Sequence, residues 1–141
     1  MIDLHSHVLP GIDDGSQSME MSLEMLALAV ESGVKALVTT PHCNIPDEFE
    51  NFADSSLENL WDRLEWERER AQIPIQLYKG MEVFATPELP ELLEQGKIWT
   101  LNGTRNFLIE FSFDEDPDFC SEILQACVDL KYYPIIAHPE R

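Results

Sequence analysis

Short apolar segments alternate with longer amphipathic segments along the whole of this 141-residue chain. The short segments are mainly apolar and are typical of buried strands. They cover residues 2–4, 35–40, 75–78 with a continuation towards 83, 106–111 and 134–137. The longer segments carry apolar residues at helical spacing. They cover residues 18–32, 53–71, 87–95 and 117–130. This alternation predicts an α/β domain in which a parallel sheet is covered by helices.

Five parallel strands are compatible with two architectures. They can form an open doubly wound sheet, or they can be the first part of a barrel, because a closed eight-unit barrel takes about 200 residues or more. The chain has no internal repeat and no clear linker, which predicts a single domain over residues 1–141. Residues 43–52 are expected to be a polar loop. Residues 98–101 are expected to be extended and to lead into a turn at Asn102-Gly103.

The composition is strongly acidic, with 27 acidic and 9 basic residues and a net charge of −18. Such a surface repels phosphate backbones, so we expect neither nucleic-acid binding nor binding to anionic membranes. The acidity serves solubility, or some of the carboxylates hold cations. No apolar run approaches the roughly 20 residues of a membrane helix, and the first residues do not resemble a secretory signal. Three cysteines without a Cys-x-x-Cys pair fit a reducing cytoplasm.

Potential metal ligands follow every predicted strand. The chain has only four histidines, His5, His7, His42 and His138, and each comes directly after a strand. The remaining two strands supply carboxylates, with Glu82 after the third strand and Glu110 near the end of the fourth. The carboxyl ends of parallel strands meet at one edge, where α/β proteins bind ligands. Histidine and carboxylate together suit Zn, Mn, Fe or Mg, and two-metal sites of this kind serve phosphoester hydrolysis.

Each of these features alone has a less specific explanation. An isolated His-x-His pair is compatible with two exposed polar side chains, and a glutamate at a strand end is usually solvated. In the segment LPGIDDG, Asp13 and Asp14 are compatible with an Asp-Gly turn. They are equally compatible with a carboxylate, more readily that of Asp14, that reaches back to a metal. The convergence of the histidines and carboxylates on one edge is what favours a metal site.

Other catalytic designs find no support in the sequence. A cysteine-dependent phosphatase loop needs an arginine six residues after the cysteine, and those positions hold Phe49, Ala126 and Tyr133. No G-x-x-x-x-G-K-[ST] or G-x-G-x-x-G motif is present, so nucleotide binding is unsupported. No G-x-S-x-G nucleophile elbow is present either.

Five motifs, in order, resemble one known family. They are MIDLHSHVLPGIDDG, TPH at residues 40–42, GMEV around Glu82, LIEF around Glu110 and AHPER at residues 137–141. Together they resemble the polymerase and histidinol phosphatase (PHP) superfamily, in the branch of bacterial manganese-dependent tyrosine-protein phosphatases encoded with capsule and exopolysaccharide genes. The resemblance implies part of a distorted (β/α)7 barrel with three metal ions at the carboxyl ends of its strands. In this chain Cys43 stands where the family pattern usually has a second histidine.

The resemblance also implies roles for individual residues. The implied ligands are His5, His7 and Glu82 for the first ion, Glu82, Glu110 and His138 for the second, and Asp14 and His42 for the third. Arg141 is implied to contact the phosphate of the substrate. The implied ions are divalent, with Mn expected and Fe, Zn or Mg also suitable.

The implied activity is hydrolysis of phosphotyrosine in a protein, with a bacterial tyrosine kinase as the expected partner and the cytoplasm as the location. Family members continue for roughly another hundred residues, which close the barrel and supply an Asp-x-His pair and a second arginine. Residues 1–141 therefore resemble the family domain without its C-terminal third. The strongly apolar strand at 134–137 would then be an exposed edge. This predicts that the chain is a homo-oligomer through that edge, is partly unfolded, or is a piece of a longer chain.

Two alternatives stay open. The chain could be a PHP-type phosphatase of a small phosphate ester such as histidinol phosphate. It could also be a metal-binding or assembly domain with impaired catalysis, for which the shorter length is the favouring feature.

Overall fold

All pairs of strands among the described residues are parallel, and helices connect most successive strands. The computed structural model describes residues 1–140. The strands are β1 (Ile2–Ser6), β2 (Ala36–Thr39), β3 (His42–Cys43), β4 (Gln76–Lys79), β5 (Glu82–Phe84), β6 (Asn106–Glu110) and β7 (Tyr133–Ile136). The helices are α1 (Met19–Glu31), α2 (Ser55–Arg70), α3 (Leu89–Glu94) and α4 (Pro117–Asp129). The predicted α/β class with parallel strands and helices is confirmed.

Two of the five predicted strands are interrupted near their middle. β2 is separated from β3 by Thr40-Pro41, and β4 is separated from β5 by Gly80-Met81. Proline has no N–H to donate to the ladder, so the pairing breaks at this level. Two bonds bridge the gap, because Thr40 N–H donates to Ser6 O at 2.8 Å and Glu82 N–H donates to Pro41 O at 3.0 Å.

The strands therefore lie in two hydrogen-bonded sets, in the order β1-β2-β4 and β3-β5-β6-β7. Through the two interrupted strands, the order in space follows the order in the chain. It does not reverse within residues 1–140, whereas a doubly wound sheet requires a reversal. The doubly wound alternative is therefore not the observed topology.

Successive residues on the strands face two different apolar clusters. Leu37 and Ile109 belong to the main core, on the side covered by the helices. Their neighbours Val38 and Leu108 belong to a second, smaller cluster with Leu101. Side chains alternate along a strand. Residues two positions from Val38 or Leu108 on the same strand therefore lie on the face opposite the helices.

The segment before β6 differs from the sequence prediction. Residues 98–101 are not a strand, and Leu101–Gly103 form a short 3-10 helix. Its left-handed residue Asn102 has φ 51°, and Thr104 closes the turn by donating to Leu101 O. The helix buries Leu101 against the second cluster, a contact that local sequence does not reveal. The loop predicted at 43–52 also contains structure, since Cys43 belongs to β3 and Ile45 forms an isolated bridge with Phe49.

The helix ends follow ordinary capping rules. The Ser18 side chain accepts a hydrogen bond from Met21 N–H at the start of α1, and the Asp54 side chain accepts one from Leu57 N–H at the start of α2. After α1, Gly33 has φ +88°, the left-handed conformation in which glycine ends helices. Among residues 1–140, no helix is both long enough and apolar enough to cross a membrane.

Candidate metal centre

Strand alternation carries most of the predicted ligands to the face opposite the helices. Glu110 is two residues after Leu108 on β6, so both point to that face. The same spacing of two relates His5 to His7 at the end of β1. The expectation that each ligand directly follows a strand is wrong in detail, because His5 lies inside β1, and His42 and Glu82 begin β3 and β5. The interruptions at Pro41 and Gly80 are the reason, since they divide the two strands just before these residues.

The predicted ligands form one cluster, which consists of His5, His7, Asp14, His42, Glu82, Glu110 and His138. Glu82 is at its centre, with a side chain that is 1% exposed. Its Oε2 atom lies 2.9 Å from His5 Nε2 and 3.0 Å from His7 Nε2. Its other oxygen, Oε1, lies 2.8 Å from His138 Nε2. The two carboxylate oxygens therefore face different histidines, which is the arrangement of a carboxylate that can bridge two ions.

Glu110 connects His42 with His138. Its Oε1 atom lies 2.7 Å from His42 Nδ1, and its Oε2 atom lies 3.4 Å from His138 Nε2. The other ring nitrogen of His42, Nε2, lies 3.4 Å from Oδ1 of the exposed Asp14. With Nδ1–H donating to Glu110, the lone pair on Nε2 points towards Asp14 and can bind a cation there.

Ligand atoms from these residues form three overlapping groups in which all atoms lie within 4.8 Å of one another. The groups are His5, His7 and Glu82; His7, Asp14 and His42; and His42, Glu82 and Glu110. The first group and the pairing of Asp14 with His42 match the ligand sets implied by the resemblance. In the last group His42 stands where the resemblance has His138, although His138 contacts both glutamates.

His138 and Arg141 follow β7. His138 has φ 32°, a left-handed conformation that a residue with a Cβ rarely adopts and that is often found at functional sites. This conformation turns its imidazole towards Glu82. Arg141, the predicted phosphate-binding residue, lies outside the described residues.

Asp13 orients two of the predicted ligands, a role that the sequence analysis did not find. Its side chain is buried, and its Oδ2 atom accepts from His7 Nδ1 at 3.0 Å and from His42 N–H at 3.0 Å. Its Oδ1 atom accepts from Gly15 N–H at 2.9 Å. A carboxylate that holds the far nitrogen of a metal-binding histidine fixes the ring and raises its basicity. Asp13 is therefore a positioning residue, while its exposed neighbour Asp14 faces the ligands.

Gly15, in the same loop as Asp13, packs directly against His7. A Cβ at position 15 would lie 2.3 Å from His7 Cβ and 2.3 Å from His7 O. The backbone stays close because Ser16 N–H donates to His7 O at 3.0 Å. The Asp-Gly pair does form a turn, and its glycine is required by this close approach to a predicted ligand.

The loop after β3 supports the cluster from the other side. The side-chain amide of Asn51 donates to His42 O and to Ile12 O, both at 2.9 Å, so it ties the two ligand-bearing loops together. The ring of Phe49 stacks on the His42 imidazole, with centroids 5.9 Å apart and planes 10° apart. These contacts join residues far apart in the sequence, and no local pattern signals them.

The charges of the cluster hold one another in their ionised forms. Burial opposes protonation of His7, but its hydrogen bonds to Asp13 and Glu82 outweigh burial and raise its pKa to about 10. Burial likewise opposes ionisation of Glu82, but hydrogen bonds from His5 and His7 hold the pKa of that carboxyl far below its usual range. The pKa of His42 is raised because its contact with Glu110 outweighs burial. The raised pKa values of His7 and His42 favour their protonated forms beside the carboxylates when no metal is bound.

A divalent cation fits this donor set better than protons do. The Nε2 atoms of His5 and His7 lie 3.2 Å apart, and both are about 3 Å from the same oxygen of Glu82. A cation that binds nitrogen and oxygen at about 2.1 Å, with ligands at right angles, separates them by about 3 Å. Imidazole and carboxylate without thiolate suit Mn, Fe, Zn or Mg. The residues present therefore fit a divalent metal centre.

Comparison with known proteins identifies relatives over the whole chain. The family model described as "Capsular polysaccharide synthesis, CpsB/CapC" matches residues 1–141. The tyrosine-protein phosphatase YwqE of Bacillus subtilis (strain 168) is 33% identical over 141 residues, which are 100% of this chain and 55% of that protein. The tyrosine-protein phosphatase CpsB of Streptococcus pneumoniae is 36% identical over 141 residues, which are 100% of this chain and 57% of that protein.

A solved structure shares the fold. It belongs to a study of YwqE from Bacillus subtilis and CpsB from Streptococcus pneumoniae, which are described as unique metal-dependent tyrosine phosphatases. It superposes with a TM-score of 0.91 at 33% identity, and the match covers 99% of this chain and 56% of that one. The chain thus spans little more than half the length of the relatives it matches.

Proposed function

Because this chain belongs to the CpsB/CapC family of capsular polysaccharide synthesis, we propose that it acts in metal-dependent hydrolysis of phosphotyrosine in proteins. The convergence of His5, His7, His42, His138, Glu82, Glu110 and Asp14 on one face carries this proposal. It is supported by two relatives that are named tyrosine-protein phosphatases. The proposed substrate is a phosphotyrosine protein, with a bacterial tyrosine kinase as the partner and the cytoplasm as the place of action.

We further propose that the sheet is an arc of a (β/α)7 barrel. The strands are added in chain order, and a separate apolar cluster of Val38, Leu101 and Leu108 lies on the face away from the helices. A barrel interior has this kind of filling, and barrel enzymes place their sites at the carboxyl ends of the strands. Residues 1–141 form one unit of this arrangement in the proposal.

The proposed centre holds up to three divalent ions, with Mn as the expected metal. Bound cations of this kind lower the pKa of water and neutralise the charge of a phosphoryl group. Glu82 can serve two ions, because its oxygens face His5 and His7 on one side and His138 on the other. Asp13 and Glu110 accept from the Nδ1–H groups of His7 and His42, so the Nε2 lone pairs would be directed at the proposed ions. The phenolate of tyrosine, with a pKa of about 10, leaves without strong help from an acid.

Phosphate release tests this function directly. We expect the chain loaded with Mn²⁺ to release phosphate from a phosphotyrosine peptide, and we expect excess chelator to stop the release. Metal content after purification without chelator, and a rise in melting temperature on adding Mn²⁺, measure binding separately, because a ligand of the native state stabilises it. A chain with less than about a tenth of a metal ion and no thermal shift would contradict the proposed centre. A metal-loaded chain that hydrolyses histidinol phosphate in preference to the peptide would contradict the proposed substrate.

Metal loading should also release protons. A divalent cation binds the neutral imidazole, whereas the metal-free cluster raises the pKa of His7 to about 10, so His7 is protonated at neutral pH. Each chain should therefore lose about one proton or more when it binds Mn²⁺ at pH 7.5. Calorimetric titrations in buffers of different ionisation enthalpy measure this number. A binding enthalpy that does not depend on the buffer would show that the site holds no displaceable proton.

The raised pKa of His7 also determines how metal affinity and stability change with pH. Because the proton competes with the cation, the affinity for Mn²⁺ should rise as the pH increases from 6.5 towards 10. In the metal-free chain the His7 proton contributes stability that is fully present below the ordinary histidine pKa of 6.5 and is lost as the pH rises through about 10. Metal-free and metal-loaded chains should thus diverge in melting temperature at alkaline pH.

A further inference from the structure

A cavity of about 220 Å³ lies beside the metal centre, between the loop that joins β6 to α4 and the residues that follow β7. Its walls carry both polar and apolar groups, and Ser112 and Glu115 line it beside the apolar residues. The walls also include Phe111, Phe113, Cys120, Ile136, His138 and Pro139. His138 belongs both to this cavity and to the cluster of predicted ligands, because its Nε2 atom lies 2.8 Å from Glu82 Oε1. A molecule held at the centre by one end can therefore place its other end in the cavity.

Phe113 is the outer wall of the cavity, and its exposure is unusual. At 83% exposed, it is the most exposed large apolar side chain among the described residues. The loop around it is ordered by local bonds, since the Ser112 hydroxyl donates to Asp114 at 3.0 Å and Glu115 N–H donates to Ser112 O at 3.2 Å. The fold thus presents an aromatic ring to solvent next to the predicted catalytic edge. Ile136, on β7, is 43% exposed and lines the same cavity.

Two aromatic residues of the cavity, Phe111 and Phe113, favour a flat apolar group beside them. Aromatic rings pair with other rings in offset or edge-to-face contact, and this adds to the gain from burying apolar area. Phe49, on another side of the centre, already has the His42 imidazole stacked on it. Phe113 is 83% exposed, so most of its ring is available for contact with another ring.

We propose that this cavity binds the aryl ring of an aryl phosphate monoester, with Phe113 as the residue that selects aryl over alkyl substrates. The proposal rests on the proposed function, because the phosphoryl group is taken to bind at the metal centre. It names a selecting residue that does not itself hold a metal.

Binding of two phosphonates, which cannot be hydrolysed, tests the proposal. Benzylphosphonate carries a ring and methylphosphonate does not, and both are titrated calorimetrically into the Mn²⁺-loaded chain. We expect the unmodified chain to bind benzylphosphonate at least about tenfold more tightly than methylphosphonate. Phe113→Ala should reduce that ratio by about fivefold through weaker benzylphosphonate binding, and Phe113→Tyr should preserve it because the ring remains.

Trp66→Ala is the matched control. Trp66 is also an exposed aromatic residue, at 58%, but it lies on α2 and does not line this cavity. We expect this variant to leave the ratio unchanged. An equal loss in both aromatic variants would mean that a general surface effect, and not the cavity, sets the preference.

The other outcomes are equally decisive. An unmodified chain without preference for the benzyl compound, or a ratio unchanged in Phe113→Ala, overturns the proposal. Loss of the preference in Phe49→Ala alone would place the ring on the other side of the centre and overturn it as well. The test is independent of turnover. Absence of phosphate release from a phosphotyrosine peptide, together with a benzyl preference that depends on Phe113, would contradict the proposed function and leave the aryl subsite standing.

Discussion

Replacing Glu82 with glutamine will leave the chain unable to hold its full set of divalent cations. Glutamine has nearly the same shape, but it has lost the charge, and its amide nitrogen cannot serve as a ligand. Both oxygens of Glu82 are engaged, with His5 and His7 on one and His138 on the other, so either orientation of the amide disrupts one side. We expect the affinity for Mn²⁺ to fall at least about a hundredfold, since even outer-shell partners cost ten- to a hundredfold. Metal content and calorimetric titration measure the change.

Stability of the metal-free chain provides a second readout of the same substitution. Glu82 is buried and accepts hydrogen bonds from histidines, so we expect Glu82→Gln to lower the free energy of unfolding at pH 7 by roughly 2 kcal/mol or more. The pKa of Glu82 is lowered in the folded state. Its contribution is therefore present above the ordinary carboxyl pKa of 4.5 and is lost as the pH falls below it. The difference between the two proteins should shrink in acid.

Glu122→Gln is the control for the loss of one negative charge. Glu122 is exposed on α4, away from the cluster, and its substitution should change neither metal content nor unfolding. Equal metal content in Glu82→Gln and Glu122→Gln would show that Glu82 is not a ligand.

Replacing Gly15 with alanine will displace His7 although it removes no functional group. The added Cβ would overlap both the Cβ and the carbonyl oxygen of His7 at 2.3 Å, so the loop or the end of β1 must shift. Overpacking of this kind costs about 1–3 kcal/mol. The shift also separates His7 from Asp13, and we expect Mn²⁺ affinity to fall by about tenfold or more. The affinity and the denaturant midpoint give the two effects separately.

Gly96→Ala separates local strain from damage to the centre. Gly96 has φ +70° with open space around it, so alanine there is strained but meets no neighbour. It should destabilise the chain by about 1 kcal/mol and leave metal affinity unchanged. If the two glycine variants lose affinity to the same extent at equal stability, the contact between Gly15 and His7 has no special role.

The periodicity of apolar residues made the fold class predictable, and the residues near strand ends indicated most of the candidate site. Alternation of apolar and amphipathic segments predicted the parallel α/β class, and the helix at 117–130 is observed as Pro117–Asp129. The same alternation placed His42 and Glu82 near strand ends, and the structure brings them within 3.4 Å of each other. Their exact positions were missed because Pro41 and Gly80 interrupt the strands, and both residues begin a new segment after the break.

Contacts between distant loops were not predictable from one sequence. Asp13 is one residue from the predicted ligand Asp14, and only the fold of the loop decides which carboxylate is buried against His7. The hydrogen bond from the Asn51 side chain to Ile12 O joins residues 39 positions apart, and no local sequence pattern indicates it. The 3-10 helix at Leu101–Gly103 was missed for a similar reason, because burial of Leu101 against Val38 and Leu108 outweighed the extended preference of its segment.

The strictly sequential strand order has a consequence for how the chain acquires its structure. When β2 with β3 and β4 with β5 are each counted as one interrupted strand, every strand pairs with the one before it. The sheet can therefore grow from the N-terminus during synthesis, one short crossover at a time. The ligands are distributed in the same order, from His5 on β1 to His138 after β7. Until His138 has been synthesised, the predicted ligands of the earlier strands form an incomplete, highly charged edge. The proposed ions would join residues from β1 to the segment after β7, and their binding would therefore oppose separation of β7 from β6.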